Sequence, residues 1–123
     1  MKPEDAKTLV REYFHRLINE RDLSVCDELL ADDYIDHDAP PDAPPGPGEI
    51  KRFVVQMLRD RPDIQVTVED VVAEGDRVAA RNIWQWTDDE SGEKRRQMGI
   101  LILRLNDAGQ IAERWSAYKM IQF

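Results

Sequence analysis

Cysteine is almost absent from this chain of 123 residues, which holds only Cys26. No internal disulfide can form, and the fold must rest on its own core. Nothing close to Cys26 in sequence would lower its pKa, so it reads as packing. Histidine is nearly as scarce, with only His15 and His37. A zinc site usually draws on three or four His, Cys or carboxylate ligands, so no metal is expected. Long hydrophobic runs are missing too. The longest, Ile100-Leu101-Ile102-Leu103, is far too short to cross a membrane. The opening MKPEDAKTLV has no apolar signal core, and a cytoplasmic protein is expected. Basic residues are outnumbered, 17 Lys+Arg against 25 Asp+Glu, for a net charge of -8. That balance repels nucleic-acid phosphates. The one compact basic run, Lys94-Arg95-Arg96, follows Asp88, Asp89, Glu90 and Glu93, which cancel its field. No motif for a nucleotide, a flavin or a metal occurs, so no cofactor is expected.

What is present is patterned. The length suits one domain, which can bury about two thirds of its unfolded surface. Residues 3 to 19 read as a helix, with Ala6, Leu9, Val10, Tyr13, Phe14, Leu17 and Ile18 on one side. His15 falls opposite that stripe and should face water. Ser24 to Leu30 reads as a short helix, and Glu49 to Arg59 as a third that Pro62 ends. From Ile64 the period drops to two. A strand bulged near Asp70 is followed by strands at Arg77 to Thr87, Lys94 to Leu105 and Gln110 to Ile121, joined by short turns. Helices followed by an antiparallel meander mean α+β, with three N-terminal helices on one face of a curved, mainly antiparallel sheet. Ile100 and Ile102 on one parity, and Leu101, Leu103 and Leu105 on the other, make both faces of one strand apolar. The second face needs cover, which a homodimer packed through the sheet would supply.

Several side chains could line a ligand site. In DDYIDHDAPPDAPPGPG, residues 32–48, alternation turns Asp36 and Asp38, which read as turn and capping residues, one way and the candidate His37 the other. The prolines that follow stiffen a loop that is either a pocket lip or a plain connector. On the strand from Arg77, Asn82, Trp84 and Trp86 share a face. They form either a cavity wall with one orienting amide or part of a dimer interface. Met98, Tyr13 and Phe14 could complete an aromatic cavity, and are otherwise core.

Three stretches, YFHRLINERDLSVCDELLADDYIDHDAPP, VTVEDVVAEGDRVAAR and GQIAERW, resemble the SnoaL-like polyketide cyclase family of the nuclear transport factor 2 superfamily. The resemblance runs over nearly the whole chain. It implies a cone-shaped α+β barrel around a deep pocket, a dimer built on the sheet, and a hydrophobic carbonyl compound as ligand. It implies further that His37 lies at the pocket, able to act as acid or base or to donate a hydrogen bond. The bland reading of His37 is a tie between loop and helix. Glu113 and Trp115 match the family pattern on the last strand. Arg114 stands at a family histidine, Ser116 at an aspartate and Leu101 where an aspartate is frequent. The expected catalytic pair is therefore His37 and Glu113, with Tyr13, Phe14, Asn82, Trp84, Trp86, Met98, Arg114 and Trp115 binding substrate. Glu113 and Arg114 are consecutive, so only one of them can line the cavity. Glu113 inside would make a base; Arg114 inside would favour an anionic or strongly polar ligand group. A non-catalytic binding module and a filled dimeric scaffold remain the alternatives.

Overall fold

The computed structural model describes residues 1–121. Helix α1 (Pro3–Phe14) starts as its sequence directs. Pro3 sits where a missing N–H is harmless, and Glu4 and Asp5 face the positive end of the helix. Its buried side is Ala6, Val10, Tyr13 and Phe14. The helix does not run on unchanged to residue 19. His15–Asn19 is a π-helical segment, closed by Glu20 N–H donating to His15 O at 3.0 Å. Arg21, at φ 60°, ends it. A non-glycine residue in that left-handed region costs about 1–2 kcal/mol. Its guanidinium offsets this by donating to Ile64 O at 2.8 Å and Pro62 O at 2.7 Å. α2 (Ser24–Leu29) buries Val25 and Cys26. Burial pushes the Cys26 thiol up to about 11, an unreactive, packed group.

The stretch after α2, where the sequence pattern predicts no strand, begins as one, β1 (Leu30–Asp36). A proline-rich loop leads on to α3 (Gly48–Asp60), then β2 (Gln65–Glu74), β3 (Arg77–Thr87), β4 (Lys94–Leu105) and β5 (Ile111–Ile121). The sheet order is β1-β5-β4-β3-β2. Only the β1–β5 pair is parallel, and the sheet stays open. The architecture is the α+β cone fold: three helices on a five-stranded mixed sheet. The bulge expected near Asp70 appears as a register shift between Val68 and Asp70.

One face of the sheet meets the helices. Val78, Ala80, Trp84 and Trp86 of β3 and Leu101, Leu103 and Leu105 of β4 join the buried core with Tyr13, Phe14, Leu17 and Ile18. The other parity is open. Ile100 is 50% exposed and Val72 65%. The first helix is stitched to the free side of β2. Arg11 Nη1 donates to Val68 O at 2.7 Å, Asn19 Nδ2 to Val66 O at 2.9 Å, and Val66 N–H to Asn19 Oδ1 at 2.8 Å.

Candidate functional site

A cavity of about 490 Å³ lies between α1 with its π segment, α3 and the covered face of the sheet. Its apolar wall includes Phe14, Leu17, Ile18, Ile50, Val54 and Trp84. α3 presents Ile50 and Val54 to the inside by its helical period. Phe53 stands at the rim and is 64% exposed. Trp84 holds the floor and meets the edge of Phe14, ring centroids 6.2 Å apart at 88°.

The polar lining comes from β1 and β5. Arg114, Ser116 and Tyr118 of β5 face inward, as do Asp36 and Asp38 at the end of β1. The loop that follows supplies Ala39 and Pro40 to the same wall. Asp36 Oδ1 accepts from Asp38 N–H at 2.9 Å, and Ser116 Oγ is hydrogen-bonded to the Asp38 carboxylate. Gly46, at φ 105°, carries the loop past β1, where a Cβ would sit 3.0 Å from Asp32 O; only glycine suits both constraints.

Arg114 is the one buried cation among the described residues, 7% exposed. Its Nη2 donates to the Tyr118 hydroxyl. Burial opposes its charge; ionised Tyr118, Tyr34 and Tyr13, together with Asp36, favour it and place its pKa above the ordinary value, but at neutral pH, with the phenols uncharged, only Asp36 stands against the burial. Tyr13 and Tyr34 are pushed up, first by burial. A bulge decides that Arg114 points in. Leu105 pairs with Ile111 and Arg104 with Glu113, which leaves Ala112 as an extra residue. Both Ile111 and Ala112 are buried. The parity flips there, and Arg114 instead of Glu113 follows Ile111 to the inner face.

His37 and Glu113 do meet, with Nε2 and Oε2 2.8 Å apart, but on the opposite face of the sheet. Neither borders the cavity; His37 lines a separate hollow of about 330 Å³ under the proline loop. The His37 ring stacks on Trp115, 4.7 Å away and 7° from parallel. The Arg77 guanidinium lies 4.9 Å from the Trp115 ring centre, and Arg104 Nε donates to Glu113 Oε1 at 2.5 Å. The bonds from His37 and then Arg104 hold the Glu113 carboxyl below its ordinary value of 4.5. Its contribution to stability is therefore full above that value and is lost as pH falls through the folded pKa. Glu113→Gln is expected to be less stable than wild type at pH 7, and the gap to narrow below about pH 4.5. Urea midpoints between pH 7 and pH 3 measure it; a gap independent of pH would sink the assignment.

Of the other residues picked from sequence, Phe14, Trp84 and Arg114 line the cavity. Trp86 shares Trp84's face but is covered by Arg61, 3.9 Å from its ring centre. Tyr13 is core, edge-on to Phe14 at 5.1 Å. Asn82 is fully buried and neither of its amide atoms has a partner in the protein. Met98 lies on the open face, paired with Ile83 and Lys119. The polar residues that sequence reasoning passed over are Asp36, Asp38, Ser116 and Tyr118. Their signal was the shared parity of Asp36 with Asp38, and of Arg114 with Ser116 and Tyr118. No set of three or more His, Cys, Asp or Glu side chains fit to hold a metal ion occurs among the described residues. No helix among them is long and apolar enough to cross a membrane.

Among solved structures the chain is similar to TsrD from Streptomyces laurentii, with a TM-score of 0.85 and 22% identity over 97% of this chain and 91% of that one. It is similar to IdmH from Streptomyces antibioticus, with a TM-score of 0.78 and 25% identity over 97% and 93% of the two chains. It is also similar to a SnoaL-like polyketide cyclase from Agrobacterium tumefaciens strain C58, with a TM-score of 0.79 and 17% identity over 97% and 93%. No curated protein matches it. The family model for SnoaL-like polyketide cyclases matches residues 8–122. With the open α+β cone, the apolar cavity and that match in hand, the chain belongs to the SnoaL-like polyketide cyclase family.

Proposed function

We propose that this is a cytoplasmic, single-domain pocket protein that binds a hydrophobic carbonyl compound without metal or cofactor. The cavity carries this reading. Its volume of about 490 Å³ falls within the roughly 300–1,000 Å³ usual for small-molecule sites, and its make-up, an apolar wall with a few convergent polar groups, is also the usual one. The reaction class that suits the lining is cofactor-free proton transfer of the cyclase or isomerase kind. The carboxylates that support it are Asp36 and Asp38, which border the same void as Arg114. The His37–Glu113 pair we assign to holding β1 on β5 across the open face.

The test is titration with 2-acetylnaphthalene, a neutral aromatic ketone, read by tryptophan fluorescence. Saturable 1:1 binding is expected, and Met57→Trp, which adds bulk to the lining, is expected to weaken it. The absence of any saturable change up to millimolar ketone would overturn the reading.

We propose further that the open face pairs with a second copy of the chain. Ile35, Val72, Ile100 and Ile102 lie on it, each more than two-fifths exposed, and an apolar sheet face of this kind calls for cover. The protein is expected to sediment as a dimer at micromolar concentration, and Ile102→Glu as a monomer. A wild-type monomer there excludes this assembly.

A further inference from the structure

Two polar atoms in the cavity lining are buried and find no acceptor in the protein: Arg114 Nε and Trp84 Nε1. Guanidinium and indole groups are donors only, so what this end of the cavity lacks is acceptors. It also lacks negative charge in hydrogen-bonding contact. Arg16, Arg52, Arg77, Arg81, Arg95 and Arg104 each lie beside a carboxylate. Arg114 has no carboxylate within ion-pair distance among the described residues; its hydrogen-bonding partners are the phenols of Tyr118 and Tyr34. Asp36 is its register partner across β1 and β5. It tempers the charge from a distance, while one of its oxygens is taken by Asp38 N–H. Leaving a charged donor desolvated and unpaired is among the more expensive arrangements a fold can keep.

The Trp84 indole N–H and the Tyr118 ring meet at Gly99. A Cβ there would lie 2.7 Å from Tyr118 Cε1 and 3.4 Å from Trp84 Nε1. The bare glycine thus lets the Tyr118 ring lie against the strand beside the indole N–H. Tyr118 in turn holds Arg114 through its hydroxyl. Indole and guanidinium therefore address the same end of the void.

We infer that the cavity takes its ligand head-first by a carboxylate, whose two oxygens accept from Arg114 and Trp84, while an apolar body lies against Phe14, Leu17 and Val54. This rests on the pocket reading above and adds to it the charge and geometry of the ligand's head. A carboxylate offers two acceptors and the missing charge; a ketone or amide oxygen offers one acceptor and none. Asp38 is exposed and Glu49 is half-buried, so these acids repel an anion that stops short of Arg114. They favour the orientation with the carboxylate innermost.

The experiment compares 2-naphthoate with the near-isosteric, neutral 2-naphthamide by calorimetric titration at pH 7. The naphthoate is expected to bind at least about tenfold more tightly, since its oxygens accept charge-assisted bonds. Arg114→Gln is expected to bring the two affinities together. Trp84→Phe keeps a ring and drops the N–H, and is expected to narrow the difference. If wild type binds both probes equally, or prefers the amide, the inference falls and the pocket reading stands. The inference also falls if the preference survives both substitutions. If wild type binds neither probe, the inference falls, and the ketone titration decides the pocket reading separately.

Discussion

Trp84→Ala is expected to lower the unfolding free energy by about 3–4 kcal/mol, towards the lower end of what truncating a large core aromatic costs. Trp84 is 7% exposed, and it is both core and cavity wall. Its lost burial alone is worth a few kcal/mol, and the edge-on contact with Phe14 adds about 0.5–1.5 kcal/mol. What limits the loss is that part of the ring already faces a void, so fewer packed atoms are stranded by its removal. Trp86 gives the contrasting case. It is also buried, but it does not border the cavity and carries Arg61 over its ring. Urea unfolding of Trp84→Ala decides the matter. A change under about 1 kcal/mol would mean that the ring is not part of the core.

Arg114→Met is expected to move stability the other way, raising the unfolding free energy of the ligand-free protein by about 1–3 kcal/mol. The guanidinium is desolvated, and its partners are the phenols of Tyr118 and Tyr34 with Asp36 farther off, so its removal relieves a burial cost that is only partly repaid. Methionine is unbranched and flexible enough to fill the space. Asp36, left behind, is only half-buried and can be hydrated. The same substitution is expected to lower affinity for 2-naphthoate by at least about tenfold. A charge that weakens the empty protein and strengthens the loaded one is the usual mark of a binding site. Thermal unfolding of the two proteins without ligand is the measurement. A lower midpoint for Arg114→Met would show that the arginine is structural.

The helices were legible because their apolar period is long and local. α1 and α3 each carry several turns of it, and the turns after β2, β3 and β4 carry glycines at positive φ, Gly75, Gly92 and Gly109. β1 was not legible. Asp32, Asp33 and Asp36 interrupt its apolar alternation, and the strand it pairs with, β5, comes from the far end of the chain. The π segment leaves no trace in a pattern that fits an α-helix equally well. For the site, strand parity brought Trp84 to the cavity wall but also nominated Trp86, because parity says nothing of what covers a ring. On β5 the choice between Glu113 and Arg114 turned on the single extra residue at Ala112. Alternation read from Ile111 would send Glu113 and Trp115 inward; the bulge sends Arg114, Ser116 and Tyr118 instead. His37 followed the same rule, turning away from the cavity that its neighbours Asp36 and Asp38 face.

An open sheet has two rims, and β2 forms one of them. A bare rim is a template on which further strands can assemble without limit. Here the backbone oxygens of Pro62, Ile64, Val66 and Val68, and the amide of Val66, are taken in turn by Arg21, Asn19 and Arg11. Asn19 presents a side-chain amide to Val66 much as a neighbouring strand would present its peptide group. The first helix thus acts as a blocked end-strand, and lateral growth of the sheet is closed off from 62 to 68. Along that stretch the rim cannot seed a fibre edge to edge, while the proposed face-to-face pairing, which yields a finite assembly, is unobstructed by it.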